Sequence, residues 1–170
     1  IAPAAHAARP FVTDDARLVD EGGCQLETFV KSQRRYDENE IGFVPACNPW
    51  GVELTAGHIN VDGNRSGKSS TVLLQAKTLL KPLVTNGYGF AFSVGTFAGR
   101  SNSPYANAIG SYSLADDRVV IHANLGAIRD NEAHKTRGTW GVGAEVLLAA
   151  PRWYGIIESY GMRGENPTFH

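Results

Sequence analysis

Tyr88-Gly89-Phe90-Ala91-Phe92-Ser93-Val94-Gly95 sets a large apolar side chain at every even position and a small one at every odd position. Successive side chains of a strand point to opposite faces, so this octet has one bulky face and one nearly bare face. A helix would scatter the same bulky residues around its axis. The stretch is therefore read as a β-strand.

The period of two continues on both sides. Leu26, Thr28 and Val30 oppose Gln25, Glu27 and Lys31, and Val52, Leu54 and Ala56 oppose Glu53 and Thr55. Val72, Leu74 and Ala76 oppose Thr71, Gln75 and Lys77; Val119, Ile121, Ala123 and Leu125 alternate with His122 and Asn124. Trp140, Val142, Ala144, Val146 and Leu148 alternate with Gly141, Gly143 and Glu145. With the less regular runs at 41–47, 105–114 and 153–160, nine strands are expected and a tenth begins at Thr168. No long helix is expected, because no window carries a capped 3.6-residue stripe.

Composition agrees with this reading. The 19 glycines among 170 residues exceed the usual share of about 7%, as many turns require. Sixteen basic residues against 17 acidic ones leave no electrostatic footprint for nucleic acid. No apolar run is long enough for a membrane-spanning helix, a test that spanning barrels escape because their hydropathy averages out.

The links between strands carry a topology. Those at 33–39, 61–69, 99–105, 129–138 and 161–167 read as long and polar; those at 48–51, 81–86, 115–118 and 149–152 read as short. Long connections at one end and tight turns at the other define an antiparallel up-and-down meander, the plan of an outer-membrane barrel. The bulky faces would then meet lipid. The opposite faces would gather Glu27, Lys31, Glu53, Gln75, Lys77, His122, Asn124, Glu145 and Glu158 into one lumen, since a charge at the bilayer midplane costs roughly 2–4 kcal/mol. A soluble barrel or sandwich, with these residues facing water, is the competing arrangement.

Ala5-His6-Ala7 has the form of an A-x-A cleavage site. Residues 1–7 are accordingly read as a signal-peptide remnant, 8–22 as a periplasmic N-terminal segment and 23–170 as the β-barrel domain. Secretion implies an oxidising compartment and a disulfide between Cys24 and Cys47. Hairpin partners share a constant index sum. Pairing these cysteines centres the turn on Arg35 and Tyr36 and sets Leu26 against Pro45, Thr28 against Phe43 and Val30 against Ile41, apolar face to apolar face.

Arg9-Pro10-Phe11-Val12-Thr13-Asp14-Asp15-Ala16, with Gly23-Cys24-Gln25-Leu26-Glu27, resembles the opening of bacterial outer-membrane proteins named for the MetA pathway of phenol degradation. Trp140-Gly141-Val142-Gly143-Ala144-Glu145 and Tyr154-Gly155-Ile156-Ile157-Glu158-Ser159-Tyr160-Gly161 are similar to later parts of that family. The resemblance implies a transporter or porin-like channel for small, hydrophobic or aromatic compounds, located in the outer membrane and bounded by its lipids. It implies no catalytic residue and no cofactor. Related proteins continue past the point equivalent to His170, so the resemblance implies that the C-terminal part of the barrel lies beyond it. Nine strands and a fragment also make an awkward count for a closed barrel of even strand number. Further C-terminal strands or a partner chain are expected to complete it.

Other motifs weigh less. Gly63-Asn64-Arg65-Ser66-Gly67-Lys68-Ser69 has three residues between its glycines where a phosphate loop needs four, and it leads into a strand, so a hairpin loop is expected. His58, His122 and His134 lack metal-ligand spacing. No G-x-S-x-G elbow marks a nucleophile, although His122 with Ser70 or Ser93 is a conceivable dyad for an outer-membrane hydrolase. Asp14 and Asp15 are read as capping and anchoring groups, with a cation or substrate contact as the alternative. The expected protein is a non-enzymatic outer-membrane channel; a periplasmic or secreted soluble barrel, binding a ligand or serving in assembly, is the second class.

Overall fold

The computed structural model describes residues 13–33, 38–63, 67–99, 102–149, 153–164 and 166–169. They form one antiparallel sheet whose strands follow chain order: β1 Cys24–Gln33, β2 Glu38–Cys47, β3 Val52–Gly63, β4 Gly67–Lys81, β5 Tyr88–Ala98, β6 Ser103–Leu114, β7 Val119–Asp130, β8 Lys135–Ala149, β9 Trp153–Met162 and β10 Thr168–Phe169. The architecture is all-β, as the alternation requires, and up-and-down. Every strand pairs with its sequence neighbours, and among the described residues β1 has no ladder partner other than β2. The sheet is curled. Its first and ninth strands approach closely enough for the Lys31 ammonium to reach the Tyr160 hydroxyl at 3.1 Å.

Register in the first hairpin follows the cysteines. Cys24 faces Cys47, bonded as a disulfide, and Leu26, Thr28 and Val30 face Pro45, Phe43 and Ile41. Phe29, on the concave side, lies over the bare α-carbon of Gly42, where a Cβ would come within 2.2 Å of its ring. A one-residue slip would turn each strand inside out, so these pairings also set the faces.

The expected difference in link length between the two ends is not observed. At the end read as long, strands run on to leave only 34–37, 64–66, 99–102, 131–134 and 163–167; at the other end the links are 48–51, 82–87, 115–118 and 150–152. The polar residues read as loop are ladder residues. Backbone hydrogen bonds do not depend on side-chain polarity, and Asp62 and Lys68 sit opposite one another as an ion pair at 3.2 Å. The expected signal remnant at 1–7, residues 8–12, the hairpin centre at Arg35 and Tyr36, and Asn64-Arg65-Ser66 lie outside the described residues.

The turns at the end where the N-terminal segment enters are held by specific hydrogen bonds. Gly22 N–H donates to the Asn48 carbonyl at 2.7 Å, and Asn48 N–H donates to the Gly23 carbonyl at 3.0 Å. In the β6–β7 turn Ala115, Asp116 and Asp117 all take positive φ, and Asn86 does so in the β4–β5 turn. Side chains tie these two turns together: Asn86 Nδ2 donates to Asp116 Oδ1 at 2.6 Å and Thr85 Oγ1 to Asp117 Oδ2 at 2.6 Å.

Candidate functional site

The sheet's polar face is its buried face. Glu53, Lys77, His122, Asn124, Glu145 and Glu158 are each 6% exposed or less, whereas Phe92, Val142 and Leu125 on the opposite face are 41%, 49% and 70% exposed. Glu27, Lys31 and Gln75 lie half-buried on the same concave side. All nine residues read from the sequence as facing one interior therefore share it.

What fills this interior is the chain's own N-terminal segment. Residues 13–20 cross the concave face as a strap, and four of its backbone N–H groups end on sheet side chains. Thr13 donates to Glu158 Oε2 at 3.0 Å, Asp14 to Asn124 Oδ1 at 2.7 Å, Ala16 to Ser111 Oγ at 2.9 Å and Val19 to Glu53 Oε2 at 2.8 Å. In return Asn124 Nδ2 donates to the Asp14 carbonyl and Asn48 Nδ2 to the Val19 carbonyl, both at 2.7 Å. A buried, extended segment has no ladder of its own, so these side chains satisfy its peptide groups. Beneath Ala16, the side chains of Leu79, Ala91 and Ile109 form a small apolar cluster.

Charge is paired within the interior. Lys77 Nζ lies 2.9 Å from Asp14 Oδ1, 3.7 Å from Asp15 Oδ1 and 3.6 Å from Glu53 Oε1. Arg17 reaches Glu145 Oε2 and Asp15 Oδ2, each at 3.4 Å. Asp14 and Asp15 thus anchor the strap to a buried ammonium. Removing one partner of such a pair strands a charge in a poorly solvated site and typically costs several kcal/mol.

Ser111, a residue that sequence reading did not single out, stands opposite His122 in the β6–β7 register. Its Oγ lies 2.8 Å from His122 Nδ1, and His122 Nε2 lies 3.5 Å from Glu145 Oε1. Ser111 Oγ accepts from Ala16 N–H and lies within hydrogen-bond reach of Nδ1, so strap, serine and imidazole form one connected chain. The serine beside His122 is thus Ser111, and not the expected Ser70, which is exposed on the convex face, or Ser93, which pairs in register with Lys77. The trio has the residue types of an acyl-transfer triad, yet the strap occupies the approach to its hydroxyl, and the structure uses the network to hold Ala16 and Arg17. His58 and His134 are exposed, away from this interior.

Further along the strands Tyr105 donates to Gln75 Oε1 at 2.5 Å and packs against Phe97 with ring centres 5.3 Å apart. Together with Tyr160 above Lys31, these residues make the next level of the interior partly aromatic.

A single curled meander with charged residues on its concave face and large apolar residues on its convex face defines an up-and-down barrel-type sheet. The chain belongs to the family described as Uncharacterised conserved protein UCP029691, whose model matches residues 1–169. No curated protein and no solved structure matches it.

Proposed function

We propose that the protein is an outer-membrane β-barrel that passes small molecules, with residues 13–20 lying in its bore. The observation that carries this reading is the inverted burial of the sheet. Val30, Phe43, Leu74, Phe92, Leu125, Val142 and Ile157 are all exposed on the convex face while Glu53, Lys77, Glu145 and Glu158 are buried. A soluble protein rarely leaves so extended an apolar surface in water, and hydrocarbon is the solvent that favours it. Strands β1 to β9, of 10 to 15 residues, meet the about 9–11 needed to cross a bilayer.

Two further features support it. The Cys24–Cys47 disulfide fits an oxidising compartment such as the periplasmic side of the envelope. The sequence resemblance to outer-membrane proteins of the MetA pathway points to small hydrophobic or aromatic permeants. In this reading the exposed edge of β1 is covered by further strands, from the same polypeptide or a partner, because lipid satisfies no backbone donor.

Extraction tests the proposal directly. The protein should leave a bacterial envelope only with detergent and should change its gel mobility on heating. Release by osmotic shock in aqueous buffer would overturn it in favour of a soluble barrel.

A further inference from the structure

The two edges of the sheet face each other across a narrow lane. Tyr160 on β9 pairs with Thr168 on β10, so β10 stands between β9 and β1 at that level. Lys31 on β1 nevertheless reaches the Tyr160 hydroxyl at 3.1 Å from the concave side. The first contact makes the lane at least two strand spacings wide and the second keeps it close to that, about 10 Å from β1 to β9. A lane of that width holds one strand. β10 fills it for two residues only, Thr168 and Phe169. Among the described residues, Cys24–Lys31 of β1 have a ladder partner on the β2 side alone, and Trp153–Glu158 of β9 on the β8 side alone. Both borders therefore present backbone donors and acceptors to the same empty course, the arrangement that takes up an extended peptide as a new strand.

We propose that the lane between β1 and β9 is a docking site for one extended polypeptide segment, supplied by a partner chain, with apolar and polar residues in alternation. Its direction follows from the meander: β1 and β9 run the same way, so a strand in line with β10 is antiparallel to both. Its pattern follows from its neighbours. Val30 and Ile157, 77% and 66% exposed, stand on the outer rim, while half-buried Glu27 and buried Glu158 face the interior. Successive residues of a strand between them meet these two environments in turn. The described residues of this chain are already placed, in the strap or in the sheet and its turns, which assigns the segment to a partner. The inference rests on the outer-membrane reading only in making the outward residues apolar, since hydrocarbon satisfies no backbone group on either edge.

The test adds a synthetic strand to the full chain in detergent micelles and reads native mass and amide exchange. The probe is a peptide of about ten residues, valine alternating with threonine between terminal lysines. A control peptide has the same residues with all valines grouped at one end. The alternating peptide should bind one to one and slow exchange in Cys24–Lys31 and Trp153–Glu158 together by about ten-fold, with β5 unchanged. Protection of β1 alone, or two peptides per chain, would show a lane wider than one strand and overturn the proposal. Equal protection by the control, or protection by neither peptide, would overturn it as well. Dimers that form without peptide and already protect both edges would put a second copy in the lane instead. None of these readouts depends on how the protein is extracted, so a failed lane leaves the membrane reading standing, and release by osmotic shock leaves the lane standing.

Discussion

The Lys31 ammonium on β1 lies 3.1 Å from the Tyr160 hydroxyl on β9 and 5.3 Å from the centre of its ring. Along a flat sheet the two strands would stand eight spacings apart, roughly 38 Å. Curvature alone closes that distance, because the two strands do not pair. The gap between their backbones is then small enough for two long side chains to span from the concave side.

That closeness is measurable. Lys31→Cys and Tyr160→Cys, introduced together while the native disulfide occupies Cys24 and Cys47, should be joined within one molecule by a short bis-maleimide. Only intermolecular products would show that the sheet is flat.

Gly141 sets how near the strap can come to β8. A Cβ there would lie 2.7 Å from Thr13 Oγ1 and 3.4 Å from Thr13 Cβ. Gly141→Ala should therefore push the strap from its seat, weaken the Thr13–Glu158 hydrogen bond and lower stability by about 1–3 kcal/mol. The readout is tryptic cleavage after Arg17, which should accelerate. Gly138→Ala is the control, since its nearest neighbour lies 3.9 Å away and ordinary contact suffices. Equal cleavage of the two variants would contradict a tightly seated strap.

The turn network gives a pH dependence. Hydrogen bonds from Ser113 and Thr85 hold the Asp117 carboxyl below the usual carboxylate range. A depressed folded-state pKa stabilises the fold above the unfolded value of about 3.9, and that contribution disappears as pH falls through the lower folded value. Acidification below about pH 4 should thus loosen the link between the β4–β5 and β6–β7 turns. Amide exchange at Asn86 should speed up over that window in the native chain and show little change in Asp117→Asn.

Much of this was legible in the alternation, and the reasons for the rest are physical. Strand faces follow from period-two patterning and the first hairpin's register from the cysteine pairing, whereas the meander, though observed, was read from a difference in link length that the structure does not have. Link length was not legible, because ladder pairing at 61–63 and 67–69 needs only backbone groups and leaves no mark in hydropathy. The strap was invisible for a related reason. Thr13 to Asp20 have no period, and their peptide groups are satisfied by side chains distant in sequence, such as Glu158. Ser111 was within reach: the index-sum argument that paired the cysteines, applied to the turn at 115–118, sets Ser111 opposite His122.

The convex face supplies the sharpest prediction. Phe92 lies in the middle of β5, opposite Thr78 on β4 and Ala108 on β6, and it points away from the strap. It is 41% exposed and Tyr88, at the start of the same strand and on the same face, is 48% exposed. If that face meets water, arginine at either position changes stability by no more than about 0.5 kcal/mol, because a charged side chain on an exposed strand is ordinary. If it meets hydrocarbon the two positions separate. Arginine near the bilayer midplane costs roughly 2–4 kcal/mol, falling to about 0–1 kcal/mol near the interface. Phe92→Arg should therefore be markedly less stable than Tyr88→Arg in denaturant unfolding from lipid vesicles. Two small and equal effects would place this face in water and remove the main support for a membrane barrel.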